Sequence, residues 1–561
     1  MDYQKTILIA ALLFVMLGLW NAWQKDYPPV SVATTASAVN TNSPASTIPS
    51  SVAIKPVLTS ASTSTAESTP SSFQKTASEQ LIRVRTDVME VFIDPRGGNI
   101  VRTNMLQYPE THGQSEPLVL LNNNPDHFYI AESGLLGQEG PDTAQGQAVY
   151  GSLSKDYTLD TNQKTLTVPL KWQNKQGIVV TKTLSFNRGS YAIGVNYNIQ
   201  NNSKTSWAGQ FYSQITKKDT ESKKHSLFNI TSYNGAAISS TQKRYEKLSF
   251  AKMSKENLDR TVQGGWVAMQ QHYFLSAWIP PSQTESYQYY SRMSDDVYSV
   301  GLMSQPIKLA PHQQATTGAT LYAGPELMDT LKGLAPGLDL TIDFGWLWFI
   351  SIGIFWLMKE IYQWVGNWGW SIVLVTVLIK ALFYKLSERS YKSMAAMRQL
   401  QPRLQALKDR YGEDKQKLTQ ATMELYKTEK ISPLGGCLPV LVQIPVFIAL
   451  YWVLLESVEL RQAPFIAWIQ DLSAKDPYYI LPVVMGLTLL IQQRLNPQPT
   501  DPIQAKVMLA MPVVMTILFV NFPAGLVLYW TVNNGLSILQ QWLITLRIER
   551  VSARKKNNVV T

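Results

Sequence analysis

Cysteine is almost absent. The single thiol in 561 residues is Cys437, so no intrachain disulfide framework exists. It stands in an apolar stretch and reads as a small packing residue. Histidine is scarce too: His112, His127, His225, His272 and His312 are the five, and all lie in the polar first part of the chain. The apolar stretches that follow, at 371–384, 438–455, 478–492, 507–520 and 526–543, contain no histidine, aspartate or glutamate. Ion pumps normally place such groups in the membrane as relays, so this is poor material for one. No residues fall at catalytic or metal-ligating spacing, and no cofactor or metal is implied.

What charge there is leans positive. Lys and Arg number 50 against 40 Asp and Glu, a formal net charge of +10 with a pI near 9.2. Much of the excess stands beside apolar stretches, which points to membrane topology rather than nucleic acid. A mean hydropathy of -0.08 averages a polar half with an apolar half.

The polar half comes first. Residues 1–27 hold Lys5, an apolar run from Ile7 to Trp20, and then Trp23, Lys25 and Asp26. The nearest small-residue pattern, Ala36-Ser37-Ala38, is too far away for cleavage, so an uncleaved signal anchor with a cytoplasmic N-terminus is expected. Residues 28–80 are rich in Ser, Thr, Ala and Pro and read as a flexible tether. From 81 to 340 the period is often 2: Met89, Val91 and Ile93; Leu166, Val168, Leu170 and Trp172; Ile193, Val195, Tyr197 and Ile199. Gly97-Gly98, Asn187-Arg188-Gly189 and Tyr233-Asn234-Gly235 mark turns. One large antiparallel β-sandwich follows, serving structure or docking, with a sugar or peptide cleft as the alternative. Residues 341–366 are tryptophan-rich, with Lys359, Glu360 and Gln363 as a polar edge, and predict an amphipathic helix lying in the membrane interface.

The apolar half turns on Lys380. Its segment, Ser371 to Tyr384, has Trp368 and Trp370 at one end and Lys385, Arg389 and Lys392 at the other. That pattern predicts a transmembrane helix entering the cytoplasm at its C-terminal end. Lys380 then lies roughly 15 Å below Trp370, near mid-bilayer, with Thr376 and Tyr384 on its face. A charge there costs about 2.5–3.5 kcal/mol on insertion scales and normally faces a protein interior or a wet cavity. The alternative is a lysine that snorkels to the headgroups along its own stem. Residues 388–432 predict a cytoplasmic helical hairpin, one stripe running from Met394 to Tyr411 and a second starting at Leu418. Four more spans follow, ending in a basic tail at 546–561. Basic residues collect on one side throughout, giving six spans with both termini in the cytoplasm. The tail suits ribosomal RNA or anionic membrane lipid, and the hairpin suits a ribosome or client.

Beside Lys380, the last five spans carry soft polar groups: Thr376, Gln443, Asn533, Asn534, Gln540 and Gln541. Prolines at 439, 445, 482 and 512 loosen the helix ladders. A hydrated, positively charged hollow between helices fits these residues. It would give partners to polar groups that otherwise meet hydrocarbon, and could accept the polar tail of a nascent membrane protein.

Four motifs then carry a resemblance: Pro433-Leu434-Gly435-Gly436-Cys437-Leu438-Pro439, Ser457 to Phe465, Asp476-Pro477-Tyr478-Tyr479-Ile480-Leu481-Pro482, and Phe522-Pro523-Ala524-Gly525-Leu526-Val527-Leu528-Tyr529. The chain resembles the YidC membrane protein insertases of Gram-negative-type bacteria, relatives of the mitochondrial and chloroplast insertases. The match runs from anchor to tail. The resemblance implies a polytopic α-helical membrane protein with a periplasmic β-super-sandwich, a five-helix insertase core over 367–545, and a hydrophilic groove with a cation on the first core helix. That cation falls at Lys380, where many family members carry arginine; lysine keeps the charge and loses the planar fork. Thr376 matches a groove threonine, and the family's Tyr-Tyr pair stands here as Tyr529-Trp530, beside Gln443 and Asn533. Glu413, Asp414 and Glu429 fall in the hairpin that the family needs intact. The implied partners are nascent membrane proteins, the Sec translocon for larger clients, the ribosome and membrane lipids, and no covalent chemistry is implied. Two alternatives remain from the residues: a small-solute transporter or channel, and an extracytoplasmic carbohydrate-binding or enzymatic domain on an anchor.

Overall fold

A computed structural model of the chain describes residues 81–137, 139–143, 146–220, 232–412, 414–429, 438–496 and 502–560. The expected anchor at 1–27, the tether at 28–80, Glu413 and Cys437 lie outside them.

The residues that alternate at period 2 form two sheets. One has 13 strands and runs from Asp259–Gln263 at one edge, through Trp207–Lys218 and Tyr129–Leu136, to Ile82–Arg85 and Asp156–Thr158. The other has nine, from Glu246–Leu248 through Gln314–Pro325 and Ala192–Asn201 to Gly151–Ser152. Met89, Val91 and Ile93 bury completely, as do Ile193, Val195, Tyr197 and Ile199. Each such side chain contributes about 1.5–3 kcal/mol by leaving water. The antiparallel expectation needs correcting in two places. Ile82–Arg85 pairs parallel with Asp156–Thr158, and Leu136 pairs parallel with Asp142. Gly97 and Gly98 make a tight turn with φ of 72° and 64°, and a Cβ on Gly98 would stand 2.9 Å from the Lys182 side chain. Tyr233-Asn234-Gly235 is not a hairpin turn: Gly235 opens the strand Gly235–Ser239.

Lys182 is the most deeply buried charged side chain among the described residues of this half. Its Nζ donates to the carbonyls of Gly97 (2.9 Å) and Ser133 (3.0 Å) and lies 5.2 Å from the centre of the Tyr197 ring. Asp142 and Glu132 supply negative charge nearby. Burial pushes the lysine down and the carboxyls up, while the opposite charges push back.

The second half is helical: α1 (Trp348–Val365), α2 (Trp368–Leu382), α3 (Tyr384–Gln399), α4 (Gln401–Tyr411), α5 (Lys415–Thr428), α6 (Leu438–Glu456), α7 (Ile480–Leu495), α8 (Pro502–Phe519) and α9 (Ala524–Val560). Gly366, in the left-handed region, ends α1, and the Asn367 side chain accepts from the Trp370 N–H to start α2. The α1 helix carries apolar side chains on two faces. It buries Ile354, Phe355 and Met358, yet Trp348, Phe349, Ile352 and Trp356 are exposed on it.

Three boundaries differ from the sequence reading. The Lys380 helix stops at Leu382 and the chain bends by 68° into α3, so Tyr384 lies past the bend and shares no helix face with Lys380. No glycine or proline marks this bend. Docking decides it, because α3 turns to bury Ser387 and Ser390 and packs on α9. The first hairpin stripe also breaks, into α3 and α4, at Leu400. Pro402 explains that break: it sits in the first turn of α4, where a missing N–H is harmless. The tail expected after 545 is the continuing end of α9.

Among the described residues no single helix is long and apolar enough to cross a membrane; α2 and α3 pass that test only as a bent pair. The two halves touch where α6 ends. Arg461 Nη2 donates to the carbonyls of Pro109 (2.9 Å) and Glu110 (3.1 Å), His272 Nε2 lies 3.0 Å from the Leu455 carbonyl, and the Ser232 hydroxyl donates to the Glu456 carboxylate at 3.0 Å. The loop after Glu456 folds around Asp471, which accepts from the N–H groups of Gln462 (2.9 Å) and Ser473 (2.8 Å), and around Asp476. Asp476, buried, accepts from Trp468 Nε1 and the N–H groups of Tyr478 and Leu481. Backbone bonds from Gly525 to Leu472 (2.8 Å) and from Ala524 to Ala474 (2.7 Å) then pin the start of α9 to this loop.

Candidate functional site

Lys380 stands in the last turn of α2 and is only 7% exposed. Its Nζ donates to the Ser537 hydroxyl of α9 at 2.7 Å and, more loosely, to Gln443 Oε1 of α6 at 3.4 Å. Gln443 Nε2 in turn donates to Asn533 Oδ1, and the Ser537 hydroxyl donates to the Asn533 carbonyl at 2.8 Å. Three helices thus meet through four side chains. An ammonium has three donors and no acceptor, so a ring of oxygens is what it requires. Among the described residues no carboxylate acts on it.

One turn along α6 from Gln443, Phe447 meets Trp530 edge-on at 4.6 Å and stacks on Tyr529 at 6.0 Å between ring centres. Tyr529 is buried, and Trp530 is half-buried. These rings form an apolar layer beside the polar one. Pro445 lies inside α6 between Gln443 and Phe447, which removes one helical hydrogen bond there.

Thr376 is placed differently. It is buried one turn above Lys380, but its hydroxyl donates to the Ile372 carbonyl of its own helix at 2.6 Å. It lines the wall without touching the ammonium's ring of oxygens. Asn534 and Gln541 point the other way, onto α7: Asn534 donates to the Thr488 hydroxyl at 3.3 Å and Gln541 to the Leu495 carbonyl at 3.1 Å. The hairpin carboxylates serve the hairpin. Asp414 caps α5 by accepting from the N–H groups of Gln416 and Lys417, and the Lys417 N–H holds its carboxyl below the usual range. Glu429 pairs with Arg403 at 2.5 Å, tying α5 to α4.

Sequence reasoning missed Ser537. The signal was present, since Trp530, Asn533 and Ser537 recur at three and four on one helix. A serine in an apolar run draws little notice, because its hydroxyl can be satisfied by its own helix.

Fold and cluster together define a class: an apolar helical core that holds a buried cation with no carboxylate acting on it among the described residues, with a large β-sandwich before it. Residues 81–357 match the family described as YidC periplasmic domain, and residues 360–551 match 60Kd inner membrane protein. The membrane protein insertase YidC of Legionella pneumophila (strain Paris) is 51% identical over 561 residues, covering 99% of each chain. That of Coxiella burnetii (strain Dugway 5J108-111) is 47% identical, covering 99% of this chain and 98% of its own, and that of Pseudomonas putida (strain F1) is 48% identical, covering 99% and 100%. A crystal structure of an active YidC insertase with its first transmembrane domain resolved aligns over 82% of this chain and 92% of its own, at 18% identity and a TM-score of 0.36. The chain belongs to the YidC family of membrane protein insertases, inner-membrane proteins with a periplasmic β-sandwich domain.

Proposed function

We propose that the cluster around Lys380 lines a hydrophilic groove, open to cytoplasm and lipid, through which the chain inserts nascent inner-membrane proteins and helps them fold. The observation that carries this reading is the setting of Lys380, a cation held by the neutral oxygens of Ser537 and Gln443 with no carboxylate acting on it among the described residues. Such a charge is available to a client's acidic tail. Gln443 and Asn533 offer the tail further hydrogen bonds, while Thr376, Tyr529 and Trp530 form the wall. As the tail moves outward, the client's segment of about 20 apolar residues enters lipid, and its burial drives the step. Binding and solvation do the work, without covalent chemistry.

The same reading takes the chain as six spans with both termini cytoplasmic. Residues 81–340 then form the periplasmic domain, 341–366 lie in the interface and 367–545 form the core. Short-tailed clients are inserted by the chain alone and larger ones beside the Sec translocon. The basic tail meets the ribosome or anionic lipid, and the hairpin with Glu413, Asp414 and Glu429 is the docking arm.

The test is insertion of a short-tailed, single-span client into liposomes reconstituted with the full chain. Lys380→Arg retains activity, Lys380→Glu abolishes it, and Lys380→Ala loses more as the client's tail gains acidic residues. Equal insertion by all four proteins would remove Lys380 from the mechanism.

A further inference from the structure

We infer that Ser537 is the positioning residue of the groove cation: its hydroxyl holds the Lys380 ammonium on the α9 wall and thereby sets how strongly the groove discriminates between clients by tail charge. The inference rests on the reading that Lys380 meets the client's tail.

The geometry gives Ser537 a role that neither neighbour fills. A serine hydroxyl has one proton to donate and two lone pairs to accept with. Here the proton goes to the Asn533 carbonyl at 2.8 Å, which fixes the hydroxyl's direction. One lone pair then receives Lys380 Nζ at 2.7 Å. Ser537 is 4% exposed, so water competes poorly for these bonds. The contact to Gln443, at 3.4 Å, is too long to hold the ammonium by itself. Lysine needs such a tether more than arginine would. Its four-carbon stem carries a point charge that can swing, and from the last turn of α2 it can reach toward the headgroups. Without the Ser537 oxygen the charge leaves the α9 wall for positions nearer the cytoplasm, and the tail loses a fixed counter-charge inside the groove.

The experiment measures initial insertion rates into liposomes for clients that differ only in carrying none, one, two or three acidic residues in the tail. Wild type, Ser537→Ala, Ser537→Thr, Ser537→Asp, Lys380→Ala and the Lys380→Ala/Ser537→Ala double variant are compared. Ser537→Ala should insert the most acidic client about tenfold more slowly, the scale of one hydrogen bond to a charged group, with the deficit shrinking as the tail loses charge. Ser537→Thr keeps the hydroxyl and should restore the rate. Ser537→Asp supplies an internal counter-charge and should erase the preference for acidic tails. In the Lys380→Ala background, Ser537→Ala should add nothing, because the group it positions is gone. A Ser537→Ala deficit equal for every tail, or fully additive with Lys380→Ala, would overturn the inference in favour of a packing role. An unimpaired Ser537→Ala beside an impaired Lys380→Ala would overturn the positioning alone. Lys380→Ala indistinguishable from wild type would overturn the groove reading and the inference together.

Discussion

Lys182 in the sandwich and Lys380 in the helical core are both buried, and the two are treated in opposite ways. In the sandwich, Lys182 is 1% exposed, bonded to two backbone carbonyls, laid over the Tyr197 ring and compensated by Asp142 and Glu132. In the helical core, Lys380 touches neutral side-chain oxygens and has no carboxylate acting on it among the described residues. The first arrangement closes its electrostatics internally. The second leaves a charge with no opposite charge acting on it among the described residues. A buried ion stabilises little in net terms, but taking one partner away leaves the other stranded. Lys182 is therefore a structural tie, and Lys380 is the cation of the proposed groove.

The largest effect should come from testing that contrast directly. Lys182→Met leaves Asp142 and Glu132 without their cation and should destabilise the sandwich by about 3–5 kcal/mol. Lys380→Met strands no carboxylate and should shift stability by about 1 kcal/mol or less, while insertion of an acid-tailed client falls. Denaturant unfolding of the detergent-solubilised full chain, followed by tryptophan fluorescence, checks both. Similar losses for the two variants would erase the distinction.

A smaller effect tests the seam between the halves. Glu326, buried and accepting from Gln270 Nε2 at 3.2 Å, is pushed from the usual 4.5 to about 8, chiefly by burial. The folded chain thus keeps a proton that the unfolded chain gives up above about 4.5. The stability contributed is full below pH 4.5 and is lost as the pH rises through about 8. Glu326→Gln keeps the neutral shape at every pH, so its melting curve should cross that of the wild type, the variant becoming the more stable at high pH. Parallel melting temperatures from pH 5 to 9 would show that Glu326 holds no such proton.

The smallest effect belongs to the exposed hairpin. Glu429→Gln breaks the pair with Arg403, and exposed pairs contribute about 0.2–1 kcal/mol. Overall stability should barely move, and limited proteolysis should show modestly faster cutting between α4 and α5. A loss as large as that of Lys182→Met would mean that the hairpin is not a separate, solvent-screened element.

The sandwich was legible where its information is local. Alternation at Met89–Ile93 and Ile193–Ile199, and the paired glycines at 97 and 98, each follow from a few neighbouring residues. The parallel pairing of Ile82–Arg85 with Asp156–Thr158 joins strands more than 70 residues apart in the sequence, and nothing in either segment names its partner. In the core, Pro402 could have announced the break before α4. The bend at Phe383 could not be read, because it is set by what α3 packs on. Lys380, Gln443 and Asn533 drew notice as polar residues in apolar runs. That they meet, and that Ser537 stands between Lys380 and Asn533, depends on three helices whose packing no single segment encodes.

The α9 helix is pinned at one end and long. Backbone bonds from Ala524 and Gly525 fasten its start to the loop between α6 and α7, and it continues unbroken to Val560. Mechanically it is a rod on a pivot. Ser537 lies about 20 Å along it from Ala524, and the far end more than twice that distance, at 1.5 Å per residue. A tilt of about 5° about the pivot would carry Ser537 roughly 1.7 Å sideways by the same geometry, enough to part it from Lys380. Were the helix to turn as a rigid rod about that end, a lateral pull on its last turns would reach the Ser537 hydroxyl at reduced amplitude.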